Sequence, residues 1–398
     1  MKNNLLVWTS HSCRPDVFEQ ELAAGNLPNY ASLVERGTYF PNARVGGHFQ
    51  RTSNLSEITG RPFTSEVHPR ENILNAAAES GAHVGVVNDF IITQGARFLV
   101  AKARINSIDE VYPRLIDKPP LPNLGTPKIE FLPDLSPERW LYWYRERATH
   151  RHFYNFALAF EEEGGLLVEV AGENPGFVRD QQRYSLRLQD RWFGDTLRHL
   201  EQKGVLDDTV IVAFSSHGTS IDSWLPLMKR ITRANVDHAG FNFHPNVSGS
   251  FIVMAGPGIS QGRNETWVSV MDMKPTLCRL LGIPDLGGST YGVDLLVPGE
   301  LPGDRLLADV TDEWCYSLFD TSTGWLMMKT PYGEDANRDT VVGLPTSEDG
   351  LVAFQTNDDP GCTTVRTDDF LAHPGRSRFG EEIHRLGLRP PARLRGDT

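Results

Sequence analysis

Apolar and polar positions fall in blocks that predict strands and helices in turn. Leu5-Leu6-Val7-Trp8 is a short apolar run of the kind a buried parallel strand carries. Residues 29–36 (NYASLVER), ending at Gly37, predict a helix, and a second is expected from Arg51 to Ile58, stopped by Thr59-Gly60 with Pro62 beyond. Ile73 to Ala78 predicts helix and His83 to Val87 predicts strand. Six prolines within 117–137 mark a loop or insertion. Arg139 to Glu163, dense in aromatic and charged residues, is expected as a long helix whose aromatic cluster is core or the wall of a pocket.

Leu166 to Val170 predicts strand, Ser185 to Lys203 helix, Thr209 to Phe214 (TVIVAF) strand, Ser250 to Ala255 strand and Lys274 to Leu281 helix before Gly282. Strand and helix alternate, which points to an α/β sheet with helices on both faces. From about residue 300 the segments shorten between Gly, Asp, Pro and Thr, as in a small antiparallel subdomain. The expected division is a core over 1–300, a subdomain over 301–384 and a loose tail over 385–398, where four arginines and two prolines fall.

Composition narrows the function. The 398 residues carry 39 Lys plus Arg against 51 Asp plus Glu, a formal charge of −12, with no basic run. Nucleic-acid binding, which needs clustered cations, is not expected. Neither a signal sequence nor an apolar run of membrane-spanning length is visible, so a cytoplasmic protein without membrane contact is expected. Cys13, Cys278, Cys315 and Cys362 lie far apart in no paired spacing, against a zinc ribbon or a dense disulfide framework, although a single bridge stays open.

Three stretches carry a family resemblance. The first runs from Leu27-Pro28-Asn29-Tyr30-Ala31-Ser32-Leu33 through Gly37-Thr38-Tyr39-Phe40-Pro41-Asn42-Ala43 to Thr59-Gly60-Arg61. The second, residues 195–218 (DTLRHLEQKGVLDDTVIVAFSSHG), continues to Gly256-Pro257-Gly258-Ile259 and Asp272-Met273-Lys274-Pro275-Thr276-Leu277. The third runs from Leu351 to Pro374 and opens with LVAFQTNDDPG. Together they resemble the sulfatase family of the alkaline-phosphatase superfamily, collinearly over most of the chain and weakest over 100–150. The resemblance implies an α/β fold, a mixed, mostly parallel sheet between helices with a small antiparallel C-terminal subdomain. It also implies a formylglycine nucleophile and a divalent cation that polarises the ester.

The residues at the implied positions depart from that chemistry. The first strand ends in Thr9-Ser10-His11-Ser12 instead of paired aspartates, and the nucleophile position falls on Gln50, with Asn54 four residues on where the family has arginine. An amide cannot become formylglycine. The Gly-Lys-x-His element falls on Asn88-Asp89-Phe90-Ile91, the Asp-x-His element on Gly172-Glu173-Asn174, and Asp-His-Gly on Ser215-Ser216-His217-Gly218. Cys13-Arg14-Pro15 opens like a formylglycine-forming motif, but its fifth position is Val17 and it follows the first strand. Cys13 is therefore taken as an ordinary loop cysteine.

New polar residues stand at these places. His11, Asp89, Glu173 and His217 map to strand C-termini, where open α/β sheets bind ligands. His238 and His244 lie where related superfamily members place another metal histidine. A set of His11, His217, His238, His244 and Glu173 suits one or two divalent ions, zinc or manganese rather than calcium; the alternative is a degenerate site filled with polar residues. Thr52 and Ser53 open the nucleophile helix, either as anion docking groups or as caps. His48 is a candidate base or a loop-bracing group, and Gln50, Asn54 and Ser53 are candidate substrate contacts.

Two functions compete. A repurposed hydrolase or group transferase for a small sulfate, phosphate or related ester predicts a closed polar pocket on which His217, His11 and Asp89 converge. A catalytically inactive binding or scaffold protein predicts these residues dispersed, or bonded to one another without room for a ligand. A third, weaker reading is a phosphodiesterase-type relative using Thr52 and two zinc ions. A homo-oligomer stays open.

Overall fold

Leu5 to Trp8 lie inside strand β1 (Asn4–Ser10), whose residues from Leu5 onward are all buried. Burial on both faces explains the unbroken apolar run. The structure, a computed structural model, describes residues 3–48, 50–63, 71–87, 104–106, 139–146, 175–219, 243–285, 291–297, 301–311, 313–329 and 350–394. After β1 come helices α1 (Pro15–Ala23) and α2 (Pro28–Arg36), strand β2 (Gly37–Arg44), helices α3 (Gln50–Thr59) and α4 (Ile73–Glu79), and strands β3 (His83–Val87), β4 (Arg104–Asn106) and β5 (Trp140–Glu146). Helix α5 (Pro175–Gln202), strand β6 (Thr209–Ser215), the short helix α6 (Pro245–Ser248), strands β7 (Gly249–Ala255), β8 (Gly262–Arg263) and β9 (Val268–Ser269), and helix α7 (Met273–Leu281) complete the larger layer.

The main sheet runs β4-β3-β5-β1-β6-β7-β2-β8, with β9 also on β2. β1, β3, β4, β5 and β6 are mutually parallel, whereas β7 is antiparallel to both β6 and β2. Ser10 is level with Glu146 on one side and Ser215 on the other. Three strand C-termini therefore open on one edge, and Arg44 and Gly249 reach it from β2 and β7. Helix α7 stops where the sequence predicts, with Gly282 at φ 63°, the left-handed conformation glycine takes without a Cβ clash.

Two expectations are corrected. Trp140 to Glu146 is a strand, not the start of a long helix. Trp140, Tyr142 and Tyr144 pack into the α1–α2–α5 layer, and Leu141 and Trp143 into the α3–α4–α7 layer. That alternation, with the high strand propensity of Trp and Tyr, is a two-sided β pattern. Within 139–146 the aromatics are core, while 147–163, 166–170 and the proline-rich 117–137 lie outside the described residues.

The second correction concerns the tail. Strands β10 (Leu306–Val310), β11 (Tyr316–Asp320), β12 (Trp325–Lys329) and β13 (Leu351–Gln355) form a four-stranded antiparallel sheet. Helices α8 (Thr367–Ala372) and α9 (Arg376–Arg385) cover one face, and Leu386, Leu388 and Leu394 join that core. The backbone carbonyl of Arg389 accepts from Tyr316 Oη at 2.8 Å and Lys329 Nζ at 2.9 Å. Residues 385–394 are therefore packed, because every third or so residue is a leucine that finds apolar surface.

Candidate functional site

The candidate site sits where β1, β5 and β6 end beside the first turns of α3. His11 and Ser12 leave β1, and Ser12 has φ 60°, a left-handed conformation a non-glycine residue adopts only when its surroundings hold it. Gln182 of α5 supplies part of that hold, donating from Nε2 to the Ser12 carbonyl at 2.9 Å. At the end of β6, Ser215 Oγ donates to the His217 carbonyl at 2.8 Å, and Ser250 Oγ donates to the Ser215 carbonyl at 2.6 Å. Gly218 follows because a Cβ there would stand 1.9 Å from the Asn246 carbonyl oxygen.

His11 and His217 come together. Their rings meet edge to face at 4.7 Å, each residue 1% exposed. His11 Nδ1 lies 3.1 Å from Ser216 Oγ, and His217 Nδ1–H donates to the Gly218 carbonyl at 2.7 Å. Ser53 ties α3 to the same turn, its Oγ standing 3.1 Å from the Ser216 carbonyl and 2.5 Å from Glu57 Oε1. Glu57 Oε2 in turn receives Arg145 Nη2 at 2.5 Å, with both side chains 1% exposed.

This Ser53–Glu57–Arg145 array escapes the sequence reading, although signals for it exist. Glu57 is the one acid on a helix whose Leu55 and Ile58 belong to the core, one turn after Ser53. Arg145 interrupts an otherwise aromatic strand. Burial raises the Glu57 carboxyl above the usual range, and the Arg145 charge and the hydrogen bonds from Ser53 and Arg145 only partly offset it. Arg145 Nε and Nη1 are buried with no hydrogen-bond partner among the described residues. Ser12 Oγ and Asn54 Oδ1 share that condition. Unmet buried donors and acceptors are expensive, and at strand ends they mark a place suited to a polar ligand or water.

Other candidates resolve differently. Ser53 is no cap: it lies within α3, where Ser56 Oγ back-bonds to its carbonyl at 3.0 Å. Thr52 is 4% exposed with its Oγ1 pressed against the Gly47 backbone. Gln50 opens α3, and its side chain is not described. His48 faces Asp309 of β10, Nδ1 to Oδ2 2.9 Å, with both side chains at 0% exposure. Bonded into the interface between the two sheets, it braces the loop instead of standing free as a base.

His244 is also reassigned. Its Nδ1 accepts the Asn246 backbone N–H at 3.0 Å and its Nε2–H donates to the Gly361 carbonyl at 2.9 Å. Burial pulls its pKa down to about 4. A neutral ring with both nitrogens engaged caps α6 and is not placed as a metal ligand. Asp89, Glu173 and His238 lie outside the described residues. Of the three described metal candidates, His11 and His217 come together and His244 does not join them, and among the described residues no three His, Cys, Asp or Glu side chains are grouped to hold an ion. The described pair, two imidazoles with no carboxylate among the described residues grouped with them, does not by itself fit the oxygen-rich cage of a hard divalent cation.

Cys13, Cys278, Cys315 and Cys362 are all free and buried. Burial drives the Cys13 thiol far above its ordinary value, as suits an unreactive loop cysteine. No helix among the described residues is long and apolar enough to cross a membrane.

No protein-family model matches the sequence, and no characterised protein matches it at a significant level. The fold does find counterparts. A 2-O GAG sulfatase aligns over 99% of this chain and 96% of its own, with TM-score 0.67 and 15% identity. A phosphonate monoester hydrolase from Silicibacter pomeroyi aligns over 99% and 97%, with TM-score 0.66 and 14% identity. A lipoteichoic acid synthase from Listeria monocytogenes aligns over 97% and 90%, with TM-score 0.62 and 13% identity. The chain has the fold of the sulfatases and related hydrolases of the alkaline-phosphatase superfamily.

Proposed function

We propose that the protein is a sulfatase-like hydrolase or group transferase acting on a small sulfate, phosphate or related ester without formylglycine. The single observation that carries this reading is the buried Arg145 guanidinium with two unused N–H donors beside a hydroxyl–carboxylate pair. Guanidinium N–H groups without acceptors can bond the oxygens of a tetrahedral oxyanion and favour the extra charge of the transition state. Ser53 Oγ attacks sulfur or phosphorus as the bridging bond to the leaving oxygen breaks, while Glu57 Oε1 takes the Ser53 proton; water or an acceptor hydroxyl then displaces Ser53, whose Oγ regains that proton from Glu57. Arg145 holds the non-bridging oxygens throughout. The imidazole pair His11 and His217 adjoins Ser216, whose Oγ lies 3.1 Å from His11 Nδ1 and whose carbonyl lies 3.1 Å from Ser53 Oγ; in this reading the pair gives a proton to the leaving oxygen and recovers one from the incoming hydroxyl. No step is assigned to a metal, because the described donors do not form a cation site.

A second reading has its own support. Ser53, Glu57, Arg145, His11 and His217 are bonded to neighbours and nearly sealed from solvent, as a binding protein with a retired site would have them.

Turnover of 4-nitrophenyl sulfate, 4-nitrophenyl phosphate and phenyl phosphonate esters separates the two. Hydrolysis that disappears in folded Ser53→Ala protein supports the enzyme. No turnover of any ester by intact protein, or turnover untouched in Ser53→Ala, defeats this mechanism.

A further inference from the structure

A cavity of about 300 Å³ opens at the same edge of the main sheet, on the α1 side. Asp16 and Glu19 of α1, Arg44 at the end of β2, and Arg263 and Trp267 beyond β7 line it, and none of them belongs to the Ser53–Glu57–Arg145 array. Its carboxylates are already matched. Asp16 takes both bonds of the Arg14 fork, at 2.8 and 2.7 Å, and Glu19 takes Arg263 at 3.1 Å and the Tyr39 hydroxyl.

Arg44 is not matched. It is 2% exposed, its Nη2 makes a long bond of 3.4 Å to Ser317 Oγ, and its Nε has no partner. No carboxylate among the described residues lies within ion-pair distance. Asp309 attracts it through space, but the Asp309 oxygens are held by His48 and by Ser248 Oγ at 2.5 Å. The guanidinium lies 5.1 Å over the Phe319 ring, and Phe319 meets Trp267 edge to face at 4.7 Å. A buried cation with spare donors is unfavourable until an anion supplies acceptors, and the flanking rings provide an apolar wall beside it.

We propose that this cavity binds an aromatic oxyanion, its charged group on Arg44 and its ring against Trp267. The site is separate from the Arg145 position and does not rest on the ester-transfer reading. The guanidinium fork accepts a carboxylate or a phosphate monoester alike, so the probes are phenyl phosphate, benzoate and inorganic phosphate.

Calorimetric titration of the full chain tests the proposal, with Arg44→Gln, Trp267→Ala and Arg145→Gln proteins beside it and melting curves to establish that each is folded. The Arg145→Gln protein is expected to keep a phenyl phosphate site, and adding Arg44→Gln is expected to weaken that site at least tenfold. Trp267→Ala is expected to weaken phenyl phosphate and benzoate severalfold and leave inorganic phosphate unchanged. Should Arg145→Gln fail to fold, Arg44→Gln in the otherwise intact protein is expected to lower the number of bound phenyl phosphates by one. Absence of binding by the intact protein, or unchanged affinity and number in folded Arg44→Gln, overturns the site. Equal binding of phenyl phosphate and inorganic phosphate, indifferent to Trp267→Ala, overturns its aromatic half.

Discussion

Glu57 Oε2 and Arg145 Nη2 meet at 2.5 Å between α3 and β5, and neither side chain is more than 1% exposed. Such a pair gives little net stability, because desolvating two charges offsets most of their attraction. Its importance lies in what happens when one member is lost.

Glu57→Gln leaves a buried guanidinium with no countercharge and is expected to cost about 3–5 kcal/mol in urea unfolding. Arg145→Met leaves Glu57, whose carboxyl is already raised by burial and accepts a proton, so its cost is expected to be smaller. The double variant removes both charges and is expected to regain much of the Glu57→Gln loss. Strictly additive losses would mean the two groups do not interact.

Catalysis by this array has a pH signature. Glu57 works as a base only when ionised, and its pKa is raised, so the acid limb of kcat/KM is expected at higher pH than an ordinary glutamate gives. The stability sign is opposite. The folded state holds the proton more tightly than the unfolded chain, so this group makes stability fall as pH rises from its unfolded to its folded pKa. Ser53→Ala is expected to lower kcat by at least about 10²-fold and Thr52→Ala by less than about tenfold. Equal losses in the two variants would assign the hydroxyl wrongly.

Much of the fold is legible in the sequence because its strands are buried on both faces and its helices carry their own stops. β1, β3, β6, β7 and α7 all lie where apolar runs, Gly and Pro place them. Trp140 to Glu146 misleads because aromatic and charged residues together resemble an amphipathic helix, and only pairing with β1 and β3 makes the alternation decisive. The site is legible by position and not by partner. The family resemblance leads to His11, His217 and the start of α3, yet Glu57 meets Arg145 across 88 residues of chain and His48 meets Asp309 across 261. No local pattern encodes such distant contacts.

His244 predicts an acid-sensitive contact. Its folded pKa of about 4 lies below the ordinary histidine value of 6.5, so the unfolded chain takes up the proton first. Stability from this group is complete above about pH 6.5 and declines as pH falls toward 4, by up to about 3 kcal/mol for a shift of that size. His244→Gln is expected to flatten the fall in unfolding free energy between pH 6.5 and 4. An unchanged slope would remove His244 as its source.

Asp309 joins the second sheet to the loop before α3, since its Oδ2 accepts His48 Nδ1–H at 2.9 Å and Ser248 Oγ at 2.5 Å. An amide in its place keeps one acceptor and turns a donor toward a group that itself donates. Asp309→Asn is therefore expected to cost about 1–3 kcal/mol, the usual penalty for a buried group left unmet. The same argument separates bracing from catalysis. If His48 only braces the loop, His48→Gln and Asp309→Asn lower stability while the acid limb of kcat/KM keeps its midpoint. A general base at His48 would instead leave folded His48→Gln protein with kcat lowered by about 10²-fold or more. The turnover of folded His48→Gln protein is therefore the decisive comparison, and a loss of that size would place His48 in the catalytic machinery.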